Sequence, residues 1–253
     1  MLFLGDYVDR GKRGLDIFYL MCILKLLFPT KFYFLRGNHE LAEVNSHHGF
    51  GQECRLTFGD KDGEKVFTAA NKLFDHLPLA AVVNKTTYVS HGGISPYFLQ
   101  KDGLKYITKF PTLDDKQNGK EYIHVFNDIL WGDPRIMSDA GDMRKSIFHV
   151  SDRTELAVQY NAAAAKDVMK EQGWDLIIRA HEVKAEGIDV FADGKVITIF
   201  GATNNGNNNK STQLVQDEFG TIRIIQFENA IKNHEKDVKT AMREPKKKEQ
   251  NSC

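Results

Sequence analysis

The stretch Leu2-Phe3-Leu4-Gly5-Asp6-Tyr7-Val8-Asp9-Arg10-Gly11 sets an apolar run directly before two aspartates and an arginine. It reads as a short strand over residues 2–4 that ends in a glycine turn carrying acid side chains. An apolar helix follows over 15–27, stopped by Pro29, and then an aromatic strand over 31–35 that runs into Arg36-Gly37-Asn38-His39. That is a β-α-β unit and makes the chain α/β. The same kind of ending recurs twice. A strand over 86–90 leads into His91-Gly92-Gly93, and one over 175–178 leads into Arg179-Ala180-His181.

Four strands thus terminate in Asp6, Asn38, His91 and His181. In open α/β sheets the carboxyl ends of strands share one rim, so these side chains are expected to meet there. A carboxylate, an amide carbonyl and two imidazoles form a mixed oxygen and nitrogen donor set. Such a set suits Mn, Fe or Zn better than Mg or Ca. Each residue alone has a plainer reading, as a turn former, a strand cap or an interior histidine. Four such coincidences on one rim are harder to accept than one metal site.

Composition narrows the rest. The 253 residues suffice for one large domain, and 34 basic side chains balance 34 acidic ones, so no global field favours nucleic acid or an acidic membrane. Anion recognition must be local. The three cysteines, Cys22, Cys54 and Cys253, lack metal-knuckle or redox spacing, which points to a reducing, intracellular setting, cytoplasmic or nuclear. The longest apolar stretch, 15–28, contains Asp16 and Lys25 and is too short to span a bilayer. No membrane association is expected.

Further along, a helix is expected over 66–74, a strand pair over 79–83 and 86–90 across Asn84-Lys85, and a helix over 156–172. More strands are expected over 183–191, 195–200 and 221–227, with turns at Asp193-Gly194 and Phe219-Gly220. The polar run "TNNGNNNKST" over 203–212 reads as an exposed loop. Residues 1–231 would form the folded domain and 232–253 a charged, disordered tail.

The ordered motifs "GDYVDRG" at 5–11, "LRGNHE" at 35–40, "SHGG" at 90–93, "WGDP" at 131–134, "SDR" at 151–153 and "RAHE" at 179–182 carry a resemblance. The chain resembles the metal-dependent serine/threonine phosphoprotein phosphatases, most of all their type-1 branch. The resemblance implies a calcineurin-like metallophosphoesterase β-sandwich flanked by helices. It makes Asp6 the carboxylate that bridges two divalent transition metals, with Asn38, His91 and His181 completing the second metal's ligands. It makes His39 the acid that protonates the leaving oxygen, Asp9 its partner, and Arg10 and Arg153 the grip on the phosphate. Asp133 would steady the site from behind, and Arg36 would brace its loop. His47, His48, His76, His124, His149 and His234 receive no chemistry.

The chain also departs from the family pattern. No Gly-Asp-x-His-Gly motif, which supplies the first metal's ligands in that family, occurs anywhere in it, so only the second metal site is complete. The expected form is therefore N-terminally truncated, as a fragment of a longer chain or as a shortened relative. Thr154 stands where the family has glycine after "SDR" and suggests a looser turn; Gly132 stands in place of serine. The family's arginine and tyrosine after the acid are replaced in Asn45-Ser46-His47-His48-Gly49-Phe50. The implied activity is hydrolysis of phosphoserine and phosphothreonine monoesters by a metal-activated hydroxide, with phosphoproteins as substrates and regulatory subunits as partners. The competing readings are a non-catalytic relative that binds phosphoproteins or regulatory partners, and a hydrolase of nucleotide polyphosphates.

Overall fold

The structure is a computed structural model that describes residues 1–107, 120–136, 147–203, 205 and 208–228. The expected tail at 232–253 lies outside the described residues. In chain order the elements are β1 (Leu2–Phe3), α1 (Gly14–Leu27), β2 (Tyr33–Phe34), α2 (Ala42–Asn45), α3 (Phe50–Phe74), β3 (Ala80–Val83), β4 (Thr87–Ser90), α4 (Lys120–Trp131), β5 (Asp133–Pro134), β6 (Phe148–Val150), β7 (Val158–Tyr160), α5 (Ala162–Gln172), β8 (Leu176–Arg179), β9 (Ile188–Phe191), β10 (Val196–Ile199), β11 (Ser211–Gln216) and β12 (Ile222–Phe227). A five-stranded sheet has the order β3-β4-β8-β10-β9, in which β4, β8 and β10 are parallel. A parallel pair β1-β2 and a three-stranded sheet β5-β7-β6 complete the first compact unit, Met1–Glu182 with Asp189–Thr198.

Two apolar cores hold this unit. One gathers Val8, Leu15, Phe18, Phe34, Phe50 and Phe74 between β2, α1 and α3. The larger one packs Tyr88, Ile129, Tyr160, Val168, Trp174 and Ile177 around β4, α4, α5 and β8. The first turn of α1 has no capping side chain of its own; instead Glu53 of α3 accepts from the backbone N–H of Gly14 (3.0 Å) and Leu15 (3.1 Å). A carboxylate there satisfies two orphan donors and lies at the positive end of the helix dipole. One side chain therefore both caps α1 and fastens it to α3.

Several boundaries differ from the sequence expectation, each for a local reason. The helix expected over 66–74 extends back to Phe50, with a break at Gly59, whose φ of 75° a helix cannot continue through. The helix expected over 156–172 begins only at Ala162. Asn161 caps it by accepting from the Ala164 N–H at 2.9 Å, and Val158–Tyr160 before it pairs with β5 and β6. Its end at Gln172 is as expected, because Gly173 takes the left-handed conformation. The Asn84-Lys85 turn joins β3 and β4 as expected, both residues having positive φ.

The second compact unit, Val183–Ile188 with Ile199–Cys253, is built on the antiparallel pair β11-β12, registered from Ser211 opposite Phe227 to Gln216 opposite Ile222. Two corrections fall here. The strand expected over 183–191 starts at Ile188, because Gly187 has φ 71° and turns the chain. The run expected to be an exposed loop is in part buried: Asn209, Ser211 and Thr212 are all interior, and β11 starts within it. Asn209 supplies the reason, since its amide donates to the carbonyls of Ala202 (2.6 Å) and Lys210 (2.9 Å) and accepts from the Asn205 N–H (2.8 Å). Its polarity is spent inside.

Candidate metal centre

Asp6, Asn38, His91 and His181 all follow the carboxyl ends of strands β1, β2, β4 and β8, and they converge. His91 Nε2 lies 3.2 Å from Asp6 Oδ1, 3.0 Å from Asn38 Oδ1 and 3.2 Å from His181 Nδ1. His181 Nδ1 is also 3.1 Å from Asn38 Oδ1. His91 Nδ1 donates its proton to the Leu4 carbonyl at 2.6 Å, which aims the other ring nitrogen at the cluster. Four electron-pair donors thus face one small volume. Few ring protons are available to join them, whereas one cation satisfies all four, so the donor set fits a divalent transition metal.

The electrostatics bind the same groups to one another. Burial alone would raise the Asp6 carboxyl, but His91, with its hydrogen bond, then His39 and His181 outweigh burial and hold it well below the ordinary range. His91 moves the opposite way: burial lowers it, and Asp6, then Glu40 and the Leu4 carbonyl, together more than compensate. His181 is held well below its ordinary value by burial first, and then by the charges of His91, Arg179 and Arg153. Its Nε2 is buried without a hydrogen-bond partner.

The backbone is contorted around the cluster. Asp6, Asp9, Arg10 and His181 all have positive φ, between 58° and 75°, a region that non-glycine residues rarely occupy. Gly5 and Gly37 let the two loops meet: a Cβ on Gly5 would lie 2.5 Å from the Gly37 Cα, and a Cβ on Gly37 would overlap the Asp6 carboxylate. Glu40 then clamps them together. Its buried carboxylate accepts from the backbone N–H of Asp6 (2.8 Å), Tyr7 (2.7 Å) and Gly37 (2.8 Å). Burial and the nearby Asp6 push the Glu40 carboxyl up to about 7. Arg36 braces this loop, as expected, by donating twice to the Glu40 carbonyl.

His39 sits beside the cluster, buried. Its Nδ1 donates to Asp9 Oδ2 at 2.6 Å, and Asp9 Oδ1 accepts from the Phe50 N–H at 2.9 Å. Arg10 Nη2 donates to His39 Nε2 at 3.0 Å. His48 lies edge-on to the His39 ring, with centroids 5.5 Å apart, and its carbonyl accepts from the Arg10 N–H. On the opposite flank Arg153 Nε donates to Asp133 Oδ2 at 2.7 Å, and Arg179 Nη2 donates to Asp133 Oδ1 at 2.5 Å. The turn at Thr154, expected to be looser, carries two side-chain-to-backbone hydrogen bonds. Ser151 Oγ accepts from the Arg153 N–H and Thr154 Oγ1 from the Leu156 N–H, two hydroxyl-braced turns in succession. At Gly132 a Cβ would come 2.5 Å from the Asp128 carbonyl, which accounts for glycine there.

Glu40 and Arg179 received no role from the sequence, although both stand inside quoted motifs. The available signal was position: each is a charged residue within two places of a ligand, at a strand end that the structure buries.

Comparisons with known proteins follow the same lines. Residues 1–185 match the family model described as calcineurin-like phosphoesterase. Serine/threonine-protein phosphatase BSL2 of Arabidopsis thaliana is 34% identical over 203 residues, which cover 80% of this chain and 19% of that protein. The chain therefore spans about a fifth of the length of this relative. A solved Saccharomyces cerevisiae structure, described as a protein serine/threonine phosphatase with similarity to human phosphatase PP5, superposes with TM-score 0.73 at 25% identity, covering 90% of this chain and 70% of that one. A cold-active protein-tyrosine phosphatase of a Shewanella species shares the fold, with TM-score 0.53 at 14% identity over 89% of this chain and 69% of that one.

Proposed function

The chain belongs to the calcineurin-like phosphoesterase family, and on that premise we propose that it is the catalytic domain of a serine/threonine protein phosphatase, acting on phosphoserine and phosphothreonine monoesters. The observation that carries this reading is the Asp9–His39–Arg10 array set against the Asp6/Asn38/His91/His181 cluster. The description of the Arabidopsis and yeast relatives as serine/threonine phosphatases supports the choice of substrate.

Asp6, Asn38, His91 and His181 would hold a Mn, Fe or Zn ion, with Asp6 also available to a second one. Such an ion supplies a nucleophilic hydroxide at neutral pH and neutralises phosphoryl charge. Arg10 and Arg153 bind the phosphate oxygens as planar forks. In the structure Arg10 rests on His39 Nε2, so the nitrogen that must deliver a proton is accepting one instead. When the phosphate draws Arg10 away, Nε2 is free to take a proton from solvent water, and Asp9 keeps the ring aimed through Nδ1. His39 then gives that proton to the departing serine or threonine oxygen.

The wider setting follows from the same reading. Phosphoproteins would be the substrates and regulatory subunits the partners. An intracellular site, cytoplasmic or nuclear, is in keeping with free Cys22 and Cys54. No helix of the described residues is long and apolar enough to cross a membrane.

The test is phosphate release with Mn²⁺ from a phosphoserine peptide, a phosphotyrosine peptide and a dinucleotide polyphosphate. The phosphoserine peptide is expected to be the best substrate, and His39→Asn is expected to lower its turnover about 10²- to 10⁴-fold. Preference for the nucleotide, or near-parental turnover by His39→Asn, would overturn the reading.

A further inference from the structure

Arg153 stands at the site's edge with 43% of its side chain open to solvent, and a free surface arginine samples many rotamers. Here it is held. Asp133 is 6% exposed and spends one carboxylate oxygen on Arg153 Nε and the other on Arg179 Nη2. The Arg153 contact uses the nitrogen nearest the chain, so the outer fork of the guanidinium takes no part in it. Asp133 is in turn fixed by Arg179, which is wholly buried. Three more Arg179 donors go to the Gly92 carbonyl (2.7 Å), the Gly132 carbonyl (3.1 Å) and Glu182 Oε2 (2.7 Å).

Those partners matter for their addresses. Gly92 follows the ligand His91, Glu182 follows the ligand His181, and Gly132 precedes Asp133. One buried guanidinium therefore ties together the loops of two metal ligands and the carboxylate that orients Arg153. We propose that Arg179 and Asp133 are positioning residues that preset Arg153 as an anion receptor at a fixed distance from the metal centre. The proposal rests on the phosphatase reading only in taking that anion to be the substrate's phosphate. An arginine ordered before the ligand arrives loses less freedom on binding, and affinity rises accordingly.

The experiment is a double-mutant cycle on the full chain with Mn²⁺, using Asp133→Asn, Arg153→Lys and the double variant. Inorganic phosphate affinity is measured by calorimetry, and the mobility of the Arg153 Nε–H by ¹⁵N NMR. Asp133→Asn is expected to raise the phosphate dissociation constant about three- to tenfold and to release an Nε–H that is expected to be rigid in the parent. Arg153→Lys is expected to weaken phosphate similarly, and the double variant no more than the worse single one. Additive losses in the double variant would overturn the proposal, because Asp133 would then act through the fold rather than through Arg153. An Nε–H already mobile in the parent would also overturn it. If Asp133→Asn does not fold, the parent's Nε–H and the Arg153→Lys titration still decide: a mobile group, or unchanged phosphate affinity, refutes it. Hydrolysis of the phosphopeptide with phosphate affinity indifferent to Asp133 would keep the phosphatase reading and remove this one. An intact cycle without hydrolysis would do the reverse.

Discussion

The two flanks of the candidate site are built by different means. On the Asp6 flank the backbone does the positioning: positive φ at Asp6, Asp9 and Arg10, two glycines in contact, and a Glu40 carboxylate closing on three amide N–H groups. On the Arg153 flank ordinary backbone carries long side chains, and the positioning is done by an Arg–Asp–Arg chain of ion pairs. Metal ligands tolerate little displacement, and short side chains on a contorted backbone have few ways to move. On the proposed reading Arg153 would have to admit and release a phosphate, which a long side chain on a rigid base can do.

The sharpest way to break this contrast is Glu40→Gln. It turns an amide toward three backbone donors and leaves buried N–H groups unpaired, at about 1–3 kcal/mol each. Metal affinity is expected to fall about 10- to 100-fold as Asp6 loosens, measured by Mn²⁺ titration. Affinity within twofold of the parent would mean that the glycine contact alone sets Asp6.

A second test lies beneath the Arg153 flank, where the Asp128 carbonyl receives the N–H groups of Gly93 and Gly132. Burial pushes the Asp128 carboxyl up to about 7, against the lowering pull of Ser95 and the Val158 N–H. The folded chain thus keeps a proton that the unfolded chain releases above about pH 4. The stability from this group is complete below that pH and is lost as pH rises through 7. The loss amounts to a few kcal/mol at most. Asp128→Asn is expected to flatten the fall of Tm with pH and to melt above the parent at pH 8; an unchanged slope would show that Asp128 is not the titrating group. The smallest effect is expected at the Arg153 turn, where Thr154→Ala removes one long bond, from the Leu156 N–H at 3.3 Å. Its cost should be about 0.5 kcal/mol, and a loss several times larger in thermal melting would show that the turn itself, not the ion pairs, holds Arg153.

The legibility of the sequence followed the same divide. Asp6, Asn38, His91 and His181 were readable because each follows an apolar run that can only be a strand, and strand ends share a rim. The Asn84-Lys85 hairpin and the Gly173 stop were readable because their backbone demands are local. Residues whose roles depend on distant partners were not. Glu53 caps a helix 38 residues away, Glu40 reaches back 34 residues to Asp6, and Arg179 spans 87 to Gly92. The start of α5 was misplaced because Val158–Tyr160 is held in strand form by neighbours, not by its own propensity. Polarity misled at Asn209, whose amide is satisfied indoors.

His91 bonds to Leu4 across 87 residues and meets Asn38 across 53, and His181 meets Asn38 across 143. Every one of these is a long loop closure, so the ligand set has no local precursor from which to grow. During refolding the chain must therefore commit most of its topology before a cation finds all four donors. A cation that binds the folded chain alone adds stability by mass action, and it does so only at the end of that route. Metal uptake would then report completed folding of this unit, and depletion of the metal would be felt as a shorter lifetime of the folded chain as well as a loss of chemistry.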